Sequence, residues 1–293
     1  MSLGMMLHCG AKEIDRDEIK HFPAPEAIET VRTGKRKGIS VWQPVDHEFL
    51  VRYTEKSLLN QGFSVVNRQF GITPDGARFF GLMEIEGKNL DGNGNDKGYS
   101  RLLGLRNSFD RSFAAGLACG ARVLVCDNLS FSGEVTATHR HTKNVLDKLP
   151  GMITTAISKM SEAFQFQDRR LEAYKSTTFD QYTLSDTVIN LARESCISGS
   201  HIVSVCDEFT KPTHEHETDS KVWNLFNAVT EVLKRVPPEQ MCTRTQKLHK
   251  TLDAHCGVKW VDVTAYDQHE REEAALLEKA GLPDASGYVG MEE

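Results

Sequence analysis

Residues 126–144 read CDNLSFSGEVTATHRHTKN and gather side chains that can do chemistry: Cys126, Asp127, His139 and His141. In an extended strand, residues two apart face the same way, so His139 and His141 can ligate one ion if further donors are supplied. Cys126 and Asp127, returned by a turn, are the nearest donors. The expectation attached to this set is a divalent metal centre, and the alternative is a polar strand with no chemistry. A second pair, His214 and His216 in KPTHEHETD, lies among Glu215, Glu217 and Asp219, a setting that suits solvation.

Other chemistries find less support. Cys119 in GLACG and Cys126 after VLV sit in apolar runs, where a cysteine behaves as a small buried hydrophobe; a reactive thiolate needs more positive charge than Arg122 supplies. The serines lack a G-x-S-x-G elbow, no glycine-rich stretch ends in Gly-Lys-Ser/Thr, and GNGNDKG lacks the strand-to-helix setting of a dinucleotide site. KNLDGNGNDKG lacks the chelating order and closing glutamate of a calcium loop. No organic cofactor is expected, and no catalytic set is assigned.

A different group is basic. Arg101, Arg106, Arg111 and Arg122, followed by Arg140 and Lys143, share a short region with the neutral donors Asn107, Ser108 and Asn128 and the rings of Tyr99, Phe109, Phe113 and Phe131. Basic side chains interleaved with stacking rings are what single-strand binding uses. The expected nucleic-acid contacts are Arg101, Arg106, Asn107, Arg111, Asn128, Arg140 and Lys143. Against this stands a plain reading in which the rings are core and acids such as Asp110 and Asp127 satisfy the arginines.

The elements that must position these residues follow from pattern. The chain has 293 residues, 39% hydrophobic and 26% charged, which suits a globular protein able to bury a core. No apolar run approaches the roughly 20 residues that span a bilayer, and the opening lacks the pattern of a secretory signal. Seven irregularly spaced cysteines without a CxxC pair read as reduced thiols, so a cytoplasmic location is expected. Residues 1–40, with PAPEAIETVRTGKRKG and its Lys35, Arg36 and Lys37, are expected to form a loosely ordered arm.

From residue 41 a helix is expected over FLVRYTEKSLLN, closed by Gly62, and then a hairpin, FSVVNRQFGI and FFGLMEIEG around TPDGAR. YSRLLGLRNSF, ARVLVCDN and FSGEVTATHRH read as strands, and SFAAGLACG between them as a short helix or bend. Helices follow from Val145, with Thr142 as N-cap and a break or kink at Pro150-Gly151, then over DTVINLARESC and KVWNLFNAVTEVLKRV. The expected fold is α+β: one domain over 41–260, with a mostly antiparallel β-sheet region to about residue 143 and a mostly helical region after it. Residues 261–293 hold nine acids against Arg271 and Lys279, a net −7 in a chain of net −6. An acidic tail beside a mildly basic body can mask a nucleic-acid surface or be a solvated end.

The order LGLRNSFDRSF, GARVLVCDNLSFSGE, HRHT and WNLFNAVTEVLK resembles a family found in bacteria, phages and plasmids, domain of unknown function 932, also called phage/plasmid-like protein. The matching residues are Arg106-Asn107-Ser108, Gly120 to Cys126, Asn128, His141-Thr142, Trp223 and Asn227 to Thr230. The resemblance implies an accessory protein of a mobile element, with no established catalytic residues to carry over. Three functions are therefore expected in turn: a non-enzymatic nucleic-acid-associated protein with a single-stranded DNA binding or annealing role; a metal-dependent enzyme centred on His139 and His141; and an interaction protein whose acidic tail engages a host or phage factor.

Overall fold

The computed structural model describes residues 10–33, 37–87, 99–123, 128–214 and 220–259. A short edge strand, β1 (Lys12–Ile14), and two turns of 3-10 helix (Arg16–His21) precede two strands, β2 (Ile28–Arg32) and β3 (Gly38–Trp42), which pair with each other as a separate ribbon. Helix α1 (His47–Asn60) starts at Asp46, whose carboxylate accepts the Phe49 N–H at 3.0 Å, and is followed by Gly62 at φ +80°. Then come β4 (Phe63–Ile72), β5 (Arg78–Gly87), β6 (Tyr99–Ser108), β7 (Ala115–Val123) and β8 (Asn128–His139). The helices α2 (Val145–Ser158), α3 (Met160–Ser176), α4 (Gln181–Arg193), α5 (Ile202–Thr210), α6 (Val222–Leu233) and α7 (Pro238–Cys256) complete the chain described. None of these helices is long and apolar enough to cross a membrane.

The six strands β1-β4-β5-β6-β7-β8 lie in that order, every pair antiparallel, so the fold is α+β as the sequence implies. The TPDGAR turn behaves as its residues dictate. Asp75 accepts the Ala77 N–H at 3.0 Å and the Thr73 hydroxyl at 2.6 Å, and Gly76 takes φ +70°.

Both faces of the sheet are covered. Phe79, Met83, Leu103, Leu105, Leu117 and Ala137 pack with α1 and α2, while Phe80, Leu82, Leu102 and Ala121 pack with α4 to α7. The edge strand β8 is capped by a helix: Thr245 Oγ1 accepts the Phe131 N–H at 3.0 Å and lies 2.9 Å from the Phe131 carbonyl oxygen.

Helix α3 contributes to both cores and carries two buried ion pairs. At the β6 end, Asp168 accepts from Tyr99 Oη at 2.5 Å and Arg101 Nη2 at 2.8 Å. Deeper in the helical layer, Arg170 Nε donates to both Asp253 oxygens at 2.9 and 3.0 Å. Tyr174 Oη donates to Asp253 at 2.7 Å and lies 3.1 Å from His249 Nδ1. Burial holds the Tyr174 phenol well above, and the His249 imidazole well below, their usual ranges.

Four expectations are corrected. Most of SFAAGLACG is strand rather than helix or bend: after a bend at Ser112 and Phe113, Ala115 to Gly120 form the first part of β7, flanked on both sides by strands. Its small residues reflect close approach: a Cβ on Gly116 would collide with the Ala137 carbonyl and lie 2.8 Å from Thr138 Cα. Gly116→Ala is expected to cost about 1–3 kcal/mol, read as a lowered melting temperature. Residues 1–40 are not simply an arm, since Lys12–Ile14 joins the main sheet and Ile28–Arg32 pairs with β3. Pro150 does not break α2, which runs through it; the half-exposed position leaves the carbonyl that loses its donor near water. The N-cap of α2 is Asn144 rather than Thr142, which forms a bridge to Trp42. Pro238 opens α7, where its missing N–H is harmless.

Candidate functional site at the tip of the β6–β7 hairpin

The residues connecting β6 to β7 are held by short side chains. Ser108 Oγ donates to the Phe113 carbonyl at 2.8 Å and accepts the Phe113 N–H at 3.2 Å. Asp110 accepts the Ser112 N–H at 3.0 Å and pairs with Arg78 Nε at 2.6 Å. Between them Arg111 sits at φ +66°, a conformation that costs a non-glycine residue free energy. Its guanidinium lies 5.0 Å from the centre of the Trp42 ring. Trp42 ends β3 and bridges Thr142, and the next residue, Gln43, donates its N–H to the His141 carbonyl at 3.1 Å. The hairpin tip, the end of the β2–β3 ribbon and the loop after β8 therefore meet.

Beneath this junction lies a fully satisfied imidazole. His47, wholly buried, places Nε2 3.1 Å from the Gly76 carbonyl and Nδ1 2.8 Å from the Asn107 amide nitrogen. The carbonyl fixes the proton on Nε2, so Nδ1 accepts from Asn107, whose other N–H goes to the Val45 carbonyl at 2.5 Å. The ring is stacked on Phe109 at 3.9 Å and on Phe79 at 5.1 Å. Burial lowers its pKa to about 4, so it is neutral near pH 7.

His141 is the second buried imidazole, 7% exposed and 5.9 Å from the Trp42 ring. Its Nδ1 lies 3.3 Å from the Gln43 carbonyl, and the Phe113 backbone is its other polar neighbour. Burial lowers its pKa too. The strand argument for pairing it with His139 does not hold, because β8 ends at His139 and the chain turns at Arg140. His139 instead places Nδ1 2.6 Å from the Arg140 carbonyl. Among the described residues no three His, Cys, Asp or Glu side chains are gathered for a metal, and Cys126 and Asp127 lie outside those residues. His214 lies 3.5 Å from Glu231 on α6, and His216 is outside the described residues.

A family model described as a domain of unknown function, DUF932, matches residues 40–256. The chain belongs to the DUF932 family. No curated protein and no solved structure matches it significantly. The DUF932 match opens at Ser40 in β3 and closes at the last residue of α7, so the junction lies inside it, while β1 and β2 lie outside. Two of the motifs that carry the resemblance meet at the junction: Asn107 and Ser108 at the base of the tip, and His141-Thr142 against Trp42 and Gln43. Another, on α6, is core: Trp223 stacks on Phe226 at 5.4 Å, and the Thr230 hydroxyl is bound to the Phe226 carbonyl.

The DUF932 fold divides the predicted basic group. Arg101 is buried against Asp168 at the far end of β6, Arg122 is paired with Glu84 at 3.0 Å, and Asn107 is spent on Val45 and His47. These three hold structure, and among the described residues both faces of the six-stranded sheet are covered. Arg106 is half-buried, its guanidinium 5.8 Å from the Phe113 ring. Arg111, Arg140 and Lys143 are exposed at the junction. Asn128 opens β8, its side chain outside the described set. Sequence reasoning missed Trp42 and His47; the signal for both was the WQPVDH stretch, a tryptophan and a histidine on either side of Pro44.

Proposed function

We propose that this chain binds single-stranded nucleic acid through its phosphate backbone at the junction, and that it does so without catalysing a reaction. The observation that supports this reading is the convergence of Arg111, Arg140 and Lys143, all exposed, on segments tied together by Trp42 and His141. Arg111 is pinned in an unfavourable backbone conformation over a tryptophan face, so its charge is positioned rather than free to wander. Lys37, exposed where β3 begins, extends the positive edge along the ribbon. Three or four such cations neutralise a comparable number of phosphates, and affinity then falls with salt as counterions are released.

The test is fluorescence anisotropy of a labelled 30-nucleotide single strand across a salt series. The wild-type chain is expected to bind at low salt, with a steep log–log dependence. The triple variant Arg111→Glu, Arg140→Glu, Lys143→Glu is expected to bind at least about tenfold more weakly, with the salt slope shallower by about 2, since each phosphate contact on a single strand contributes ~0.7. Its melting temperature should stay close to wild type because the three side chains are exposed. Absence of binding at low salt, or undiminished binding by the folded triple variant, would reject the proposal.

A further inference from the structure

Arg111 is held differently from the arginines around it. Arg78, Arg101 and Arg122 pair with Asp110, Asp168 and Glu84, whereas among the described residues no carboxylate pairs with Arg111. Its partner is an aromatic face instead. The guanidinium carbon lies over the Trp42 ring, 5.0 Å from its centre, within the range of a cation–π contact. Three segments set the place of that ring: Trp42 pairs with Ile28 across the β2–β3 ribbon, bridges Thr142, and has the His141 ring 5.9 Å away on a tilt.

The backbone holds the side chain to the same place. Asp110 accepts the Ser112 N–H and pairs with Arg78, which closes the tip around Arg111 at φ +66°. Glycine, asparagine or aspartate meet that conformation more readily, so an arginine there is kept by its surroundings and marks a working position. The rings expected to stack with bases are meanwhile used inside the fold. Tyr99 has no exposed surface, Phe109 stacks on His47 at 3.9 Å, Phe113 leans on Phe80 at 5.3 Å, and Phe131 packs against the core. At the tip, the planar cation that stays exposed is the Arg111 guanidinium.

We infer that Arg111, backed by Trp42, stacks on an unpaired nucleobase. This rests on the nucleic-acid reading of the junction and adds a contact to the base to the contacts with phosphate. A guanidinium is flat, and with the indole against one face the other is open to a purine or pyrimidine ring. Its charge is delocalised and weakly hydrated, so covering that face displaces less firmly held water than covering an ammonium would. Every base has a π-face, so the stack tolerates any sequence. It requires an unpaired base, because inside a duplex both faces of each base are already covered by its neighbours. Lysine would bring the charge without the flat surface.

The test separates base from phosphate. Anisotropy on the full chain compares the labelled single strand with a strand of equal length built of abasic sites, for the wild type and for Arg111→Lys. The wild type is expected to bind the normal strand about tenfold more tightly than the abasic one, a difference that one stacked base can account for. Arg111→Lys is expected to bind the two strands within about twofold of each other. Its log–log salt slope should stay that of the wild type, because the slope counts neutralised phosphates and the charge is kept. Its melting temperature should stay close to wild type, since the side chain is exposed and residue 111 keeps the same backbone. A wild-type chain that binds both strands alike overturns the inference and leaves the phosphate reading standing. An Arg111→Lys chain that still prefers the normal strand does the same. So does one that loses affinity for both strands equally, since Arg111 would then be meeting phosphate. Binding to neither strand at low salt overturns the inference together with the reading it rests on.

Discussion

Asp253→Ala is expected to remove about 3–5 kcal/mol of stability, the range found when one partner of a buried ion pair is deleted. Arg170 has no exposed surface and Asp253 is 2% exposed, so neither water nor a rearranged side chain can readily replace the lost carboxylate. The substitution also takes an acceptor from Tyr174, whose hydroxyl is bound to the same oxygen as Arg170 Nε. The guanidinium would then keep its charge in the core without that carboxylate, with the Phe166 ring 4.7 Å away. The informative comparison is the double variant Arg170→Met, Asp253→Leu, which removes both charges. It should recover most of the loss, because a buried pair holds little net stability over an apolar replacement while half of one is costly. Urea unfolding at pH 7 measures both. A cost below about 1 kcal/mol for Asp253→Ala would show that the pair is not the organising contact between α3 and α7.

This network was invisible in the sequence for a reason that applies to most of the fold's polar interior. Arg170 and Asp253 are 83 residues apart. Periodicity places each on a helix face, but which faces meet is a property of packing. Where the information was local, the sequence was readable. TPDGAR specified its turn through Pro74, Asp75 and Gly76, and the apolar runs on either side of it and over YSRLLGLRNSF were readable as β4, β5 and β6. SFAAGLACG misled because small residues carry little periodicity, and their meaning, a strand squeezed between two others, lies in its neighbours. The β2–β3 ribbon was missed because Gly34, Lys35, Arg36 and Gly38 lower the apparent strand signal on either side.

The candidate site was legible only as a list. Arg111, Arg140 and Lys143 stand out in the sequence by charge, and the fold leaves all three exposed. Arg101 was picked on the same grounds, and only the fold shows that Asp168, on a helix far along the chain, takes it out of reach. The partner that organises the junction, Trp42, lies about 70 residues before Arg111 and 100 before Thr142 in the sequence. The motif residues Asn107 and His141 support the junction from beneath, through His47 and Gln43.

Acidification from pH 6.5 to pH 5 is expected to destabilise the protein before most of its carboxylates titrate. His47, His141 and His249 are all neutral in the fold because burial disfavours their charged forms, with His47 lowered to about 4 and His249 well below its usual range. In the unfolded chain each titrates near 6.5. Below that value the unfolded state binds protons that the folded state refuses, so folding stability is complete above pH 6.5 and is lost as the pH falls toward the folded values. For His47 alone the full loss amounts to about 3 kcal/mol, since each pKa unit corresponds to 1.36 kcal/mol. His47 and His249 together should change the stability by roughly 2–3 kcal/mol per pH unit around pH 5.5, and His141 adds to this in the same direction. Urea midpoints at pH 7, 6, 5.5 and 5 measure this slope, which divided by 1.36 kcal/mol gives the number of protons taken up on unfolding. An uptake of at least about two protons is expected. A flat midpoint across that interval would mean that the buried histidines gain access to water, and with it that the stacked His47 between Phe79 and Phe109 does not form the floor of the junction.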